Sequence, residues 1–110
     1  MAVENRRHPR VEVAWPVTIV TPDGPVIGRT QNLSLGGTLI HCTEVPEFLY
    51  DFRLVFRPAE RQLLIAATAE RVWSSTFVDD KSMIHAMGVR FTYIPEHDYQ
   101  FMSEAISSHI

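Results

Sequence analysis

Residues 11–21 alternate. Val11, Val13, Trp15, Val17 and Ile19 fall on one side, and Glu12, Ala14, Pro16, Thr18 and Val20 on the other. A period of two is what a half-buried strand requires, because successive side chains point to opposite faces of a sheet. Pro16 has no backbone N–H, so this strand is expected at an edge or to carry a bulge there. The run Pro22-Asp23-Gly24-Pro25 supplies the dihedrals of a turn, and a second strand follows over residues 26–30. Residues 32–37 break the pattern before a third strand at 38–43. Phe52, Leu54 and Phe56 alternate with Arg53, Val55 and Arg57 to give a fourth. Residues 63–74 and 83–93 read as two more, separated over 75–82 by an exposed tip carrying Asp79-Asp80-Lys81. Six short strands with spaced turns predict an all-β fold, a six-stranded antiparallel β-barrel.

The C-terminus changes period. Pro95 stands at a helix start, Glu96 and Asp98 suit the positive end of the dipole, and Tyr99, Met102, Ala105 and Ile106 follow helical spacing. A helix over residues 95–108 is expected, packed on the barrel or on a partner. With 110 residues the chain reads as a single domain, 1–110, with a flexible basic arm at 1–10, the barrel at 11–93 and the terminal helix.

Composition narrows the function. Apolar residues make 45% and charged residues 21%, ordinary globular usage. No apolar run approaches the ~20 residues of a membrane-spanning helix, and the polar opening MAVENRRHPR leads to the expectation of a cytoplasmic protein without a membrane segment. One cysteine, Cys42, excludes an internal disulfide and a cysteine-based zinc site; a small buried apolar role is expected for it. His41 beside it points to the opposite face of a strand, so the two do not form a catalytic pair. His8, His41, His85, His97 and His109 lack metal-ligand spacing, and Ser34 lacks the strand–turn–helix setting of a nucleophile. No catalytic residue, metal site or cofactor is therefore expected.

The net charge is −3, yet residues 1–10 hold three arginines against one acid. An acidic body with a short basic arm differs from a general nucleic-acid binder, which carries a broad basic surface. It suits a protein that holds one compact anion. Two polar clusters are candidates for that task, each with a plainer reading. Arg6, Arg7 and Arg10 form either a solvated tail or a guanidinium clamp for phosphate and the O6/N7 edge of guanine. Asn32, Ser34, Gly36 and Gly37 form either a loop, with side chains bonding their own backbone and glycine at positive φ, or a polar face that a ligand approaches closely at Gly37. Trp15 and Trp73 are core or rim aromatics, one of which is able to stack on a base if it lies near the arm.

Arg6-x-x-x-Arg10 followed by Asn32-x-Ser34-x-x-Gly37 resembles the signature of the PilZ domain family, RxxxR and then [D/N]xSxxG. Val72-Trp73 and Met87-Gly88-Val89-Arg90-Phe91 resemble later segments of that family. The resemblance implies a receptor for the bacterial second messenger cyclic di-GMP, with roles in motility, surface attachment and exopolysaccharide control. Arg6 and Arg10, with Arg7 between them, would meet guanine edges and phosphates. Asn32, Ser34, Gly36 and Gly37 would form the complementary surface, with Asn5 and Arg90 as possible additions. Many members carry Arg or Gln where this chain has Asn5, a position tied to whether one ligand or a stacked pair binds. Many carry Asp where this chain has Asn32, whose amide offers one acceptor oxygen instead of two. The implied mechanism is ordering of the arm over the ligand and relay to an effector protein, by a monomer or homodimer. A ligand-free interaction module of the same fold is the alternative. A small RNA-binding barrel is a third reading, which the acidic body disfavours, so no DNA or RNA partner is expected.

Overall fold

In the computed structural model, which describes residues 9–47 and 50–109, the alternating segments close on one another. Among these residues the strands are β1 (Pro16–Thr21), β2 (Gly24–Leu33), β3 (Gly37–Cys42), β4 (Phe52–Phe56), β5 (Ile65–Asp79) and β6 (Ser82–Tyr93), followed by helix α1 (Glu96–Ser107). They form a closed antiparallel barrel in the order β1-β2-β3-β6-β5-β4. The all-β barrel with a terminal helix is thus the fold observed. The arm residues Asn5, Arg6 and Arg7 lie outside the described residues.

The barrel is filled by the side of each strand that the period of two selects. Val17, Ile19, Leu33, Ile40, Leu54, Phe56, Ile65 and Met87 are all buried there. Burying one such side chain stabilises by roughly 1.5–3 kcal/mol, so the interior face fixes each strand's register. Helix α1 buries Met102, Ala105 and Ile106 in the same core. Phe101 stacks on Trp15 at 6.3 Å between centroids, and the Arg61 guanidinium lies over the Phe101 ring, 4.6 Å from its centroid, and bonds Asp98 at 2.6 Å. The helix therefore docks on the barrel.

Three sequence expectations shift. Residues 11–15 keep their alternation, with Val11, Val13 and Trp15 buried, but they form no ladder. The Thr30 hydroxyl intervenes: it donates to the Val13 carbonyl and accepts the Trp15 N–H, which leaves as backbone bonds the exchange between Val11 and Leu33 and one from the Thr30 N–H to the Trp15 carbonyl. Pro16 is consequently the first residue of β1, a position where its missing donor costs nothing, and not a bulge or a sheet edge. Residues 75–82, expected as a tip, are mostly strand. β5 runs to Asp79, β6 starts at Ser82, and Asp80 (φ 51°) and Lys81 (φ 68°) make a two-residue turn whose positive dihedrals match the strand twist.

Candidate functional site

Cross-strand register brings together residues far apart in sequence. Asn32 of β2 pairs with Leu39 of β3, Leu39 with Gly88 of β6, and Gly88 with Trp73 of β5. Paired residues share a face, and the neighbours of this row, Ile40 and Met87, point into the core. The row therefore crosses the outside of the barrel. A second row sets Gly37 beside Arg90 and Arg90 beside Glu70. The first row, with Gly37 and Arg90 of the second, lines an open cleft of about 570 Å³, to whose walls Arg10, Ser34, Leu35, Gly36 and Tyr99 also contribute. That volume falls within the roughly 300–1,000 Å³ that accommodates a drug-sized molecule.

The β2–β3 turn is held by its own serine. Ser34 Oγ accepts the N–H groups of Gly36 and Gly37, each at 3.1 Å, and donates to the Gly37 carbonyl at 3.2 Å. The Ser34 N–H donates to that same carbonyl, and Phe91 N–H takes the Gly36 carbonyl. Ser34 is buried, so the hydroxyl shapes the turn that carries its neighbours. Gly37 does not adopt positive φ; among the described glycines only Gly24 does. Its missing side chain answers to closeness instead. A Cβ on Gly37 would sit 2.1 Å from the Val89 carbonyl oxygen, so β3 and β6 meet there without room for a methyl.

Gly88 has a different neighbour. A Cβ on it would lie 2.3 Å from Trp73 Nε1, because the indole rests flat over the bare backbone. Trp73 stays 48% exposed, and its ring forms part of the cleft wall. Trp15, by contrast, is core, with its indole N–H donating to Glu60 at 3.0 Å. Tyr99 reaches the cleft from the first turn of α1.

The cleft's polar groups differ in how far they are committed. Arg90 is paired with Glu70 on the surface and lines the cleft as well. The Arg10 guanidinium and the Asn32 amide have no hydrogen-bond partner among the described residues, while the Asn32 carbonyl accepts the Thr38 hydroxyl. Five predicted residues (Arg10, Asn32, Ser34, Gly36 and Gly37) and the possible addition Arg90 thus come together. Val72 and Tyr99 are not assigned to the site by the sequence, and Trp73 only as one of two tryptophans able to stack on a base; the signal that singles out Trp73 is a glycine opposite it in register, visible only once the strands are paired. Cys42 is buried as expected. Burial, with Glu44 nearby, pushes its thiol up, and the thiol donates to the His85 carbonyl.

The PilZ domain family matches residues 4–107, and the chain belongs to that family. PilZ domains are receptor and adaptor modules, and the family includes binders of cyclic di-GMP. Solved structures share the fold. The inhibitor of motility MotI/DgrA from Bacillus subtilis superposes with a TM-score of 0.75 at 21% identity, covering 96% of this chain and 51% of that one. The chain thus spans about half the length of MotI. The PilZ domain of YcgR from Escherichia coli, solved with c-di-GMP, gives 0.75 at 16% identity over 96% of this chain and 92% of its own. The PilZ domain of CeSA from a cellulose-synthesizing bacterium gives 0.60 at 16% identity, over 91% and 96%. None of the curated proteins matches this chain. Among the described residues no helix is long and apolar enough to cross a membrane.

Proposed function

We propose that this chain is a cyclic di-GMP receptor domain without catalytic activity, which relays ligand binding to a protein partner. The observation that carries the reading is the meeting, in one cleft, of an arginine fork and an amide without partners among the described residues and two exposed aromatic rings. A cyclic dinucleotide presents two phosphate charges and two guanines with flat faces and acceptor edges. Arg10 suits phosphate oxygens or the guanine O6/N7 edge, where a bidentate contact contributes about 1–3 kcal/mol of discrimination. Asn32 suits the remaining guanine edge, and Trp73 and Tyr99 offer stacking surfaces. Ser34, Gly36 and Gly37 act by shaping the turn that aims Asn32.

Arg6 and Arg7 supply further guanidinium groups from the N-terminal arm, and arm ordering on ligand arrival is the switch in this reading. Motility and biofilm control, and a cytoplasmic location, belong to the same proposal. Calorimetric titration with cyclic di-GMP tests it. Wild type is expected to bind at micromolar or tighter Kd, and Arg10→Ala to weaken binding by about tenfold or more, the loss of one bidentate contact. A folded wild type that gives no heat and no shift in thermal stability with the ligand overturns the receptor reading.

A further inference from the structure

β4 leaves β5 at Ala69, its last partner there being Phe52. Beyond that point β5 pairs only with β6, down to Asp79 opposite Ser82. Among the described residues, the other edge of residues 71–79 faces no strand, and each of these residues is exposed. A free edge presents a row of backbone donors and acceptors, which proteins ordinarily blunt with lysine, proline or inward charge. Residues 72–78, Val-Trp-Ser-Ser-Thr-Phe-Val, contain none of these. The ladder irregularity lies at Val72, at the root of the segment, and leaves 73–79 regular.

The segment is also self-complementary about Ser75. Read outward from it, Ser74 matches Thr76, Trp73 matches Phe77, Val72 matches Val78, and Arg71 matches the opposite charge of Asp79. We propose that residues 71–79 are a homodimer interface, at which a second copy of this chain adds its β5 antiparallel about a two-fold axis through Ser75. In that register the regular stretch sets hydroxyl against hydroxyl and aromatic against aromatic, and brings Val72 and Arg71, at and beyond the irregularity, alongside Val78 and the opposite charge of Asp79 of the second copy. Moving the axis one residue either way sets Trp73 or Phe77 against Ser75 and loses the charge match, so one register stands out. A closed two-fold contact of this kind uses the same patch on both copies and stops at a dimer, so the exposed edge does not propagate.

The position on the axis gives the test, because it is the one residue that meets itself. Ser75 is exposed and does not line the cleft, so charge is tolerated there. Sedimentation velocity on the full chain is run at rising concentration for wild type, Ser75→Lys, Ser75→Glu and an equimolar mixture of the two variants. Wild type is expected to move from 12.6 kDa toward twice that mass. Each variant alone places like charges opposite one another and is expected to associate about tenfold more weakly or worse. The mixture, with lysine facing glutamate, is expected to recover the dimer. A wild type that remains at 12.6 kDa throughout, a variant that self-associates as wild type does, or a mixture that fails to recover overturns the proposal.

Discussion

Residues 65–69 and 71–79 belong to one strand, β5, yet they live in different surroundings. The first stretch pairs with β4 throughout, is joined by β6 at Thr68 and Ala69, and buries Ile65, Ala67 and Ala69. The second, among the described residues, pairs with β6 alone and leaves Val72, Trp73, Phe77 and Val78 exposed. The first has three alanines in five residues and the second more β-branched and aromatic residues, so intrinsic preference does not explain which of them is buried. What separates them is β4, which pairs with the first stretch as part of the closed barrel and, among the described residues, does not reach the second. The closed half holds the barrel together; the open half is surface, available to line a cleft at Val72 and Trp73 and to meet another chain along its edge.

The largest expected effect breaks this contrast in stability. Ile65→Ala removes fully buried side-chain volume and is expected to destabilise by about 2–5 kcal/mol, depending on how far the site collapses. Val78→Ala, on the open half, is expected to stay within about 0.5 kcal/mol. Urea unfolding at low protein concentration, where chains are single, compares the two midpoints directly. Equal losses would mean that the open half contributes to the core as the closed half does.

The same contrast explains what the sequence discloses. Strands with one buried side announce themselves, since an apolar residue recurs at every second position; β4 with Phe52, Leu54 and Phe56 is read to within one residue, ending at Phe56 where the alternation runs on to Arg57. The open half exposes both faces, so residues 75–78 show no alternation and read as a loop, although backbone pairing with β6 continues through them. Residues 11–15 err the other way. Their alternation reflects real burial, but the Thr30 side chain takes the backbone bonds that a ladder would use. The site divides similarly. Asn32, Ser34 and Gly37 are legible by spacing within one turn, whereas Trp73 and Tyr99 join them through register and helix docking, which no local window contains.

His85 stands at the seam. It pairs with Thr76 of the open half and Cys42 of the closed barrel, its Nδ1 lies 3.2 Å from Thr76 Oγ1, and its Nε2 is buried without a partner among the described residues. Burial, and secondarily the charge of Arg71, holds the imidazole below its ordinary 6.5. The folded chain therefore prefers the neutral ring, and the unfolded chain binds the proton more readily. This contribution to stability is complete above 6.5 and falls as pH drops below that value. Thermal unfolding between neutral and mildly acid pH is expected to show that decline, and His85→Gln to flatten it. A decline unchanged by His85→Gln would assign it to other groups.

The smallest effect sharpens the comparison most. Asp80 and Lys81 both hold positive φ without being glycine, which strains an L-residue by roughly 1–2 kcal/mol in the left-handed region. Asn-Gly is the pair this turn type favours, because asparagine tolerates that region and glycine has no Cβ to clash. Asp80→Asn/Lys81→Gly relieves most of the strain, while the added glycine makes the unfolded chain freer by about 0.4–1 kcal/mol. The net gain expected is about 0.5 kcal/mol, the difference between those two terms. Where it appears is the informative part. The open half rests on β6 alone, so it is expected to fray before the barrel opens. Stabilising its tip should then slow amide exchange at Phe77, Asp79 and Ile84, whose N–H groups face across the hairpin ladder, and leave the exchange of Leu54 and Ile65, which report global unfolding, changed no more than the net gain itself. Slowing confined to the tip would establish the two halves of β5 as separate cooperative units. Equal slowing at all five positions would make them one, with the hairpin opening only when the barrel does.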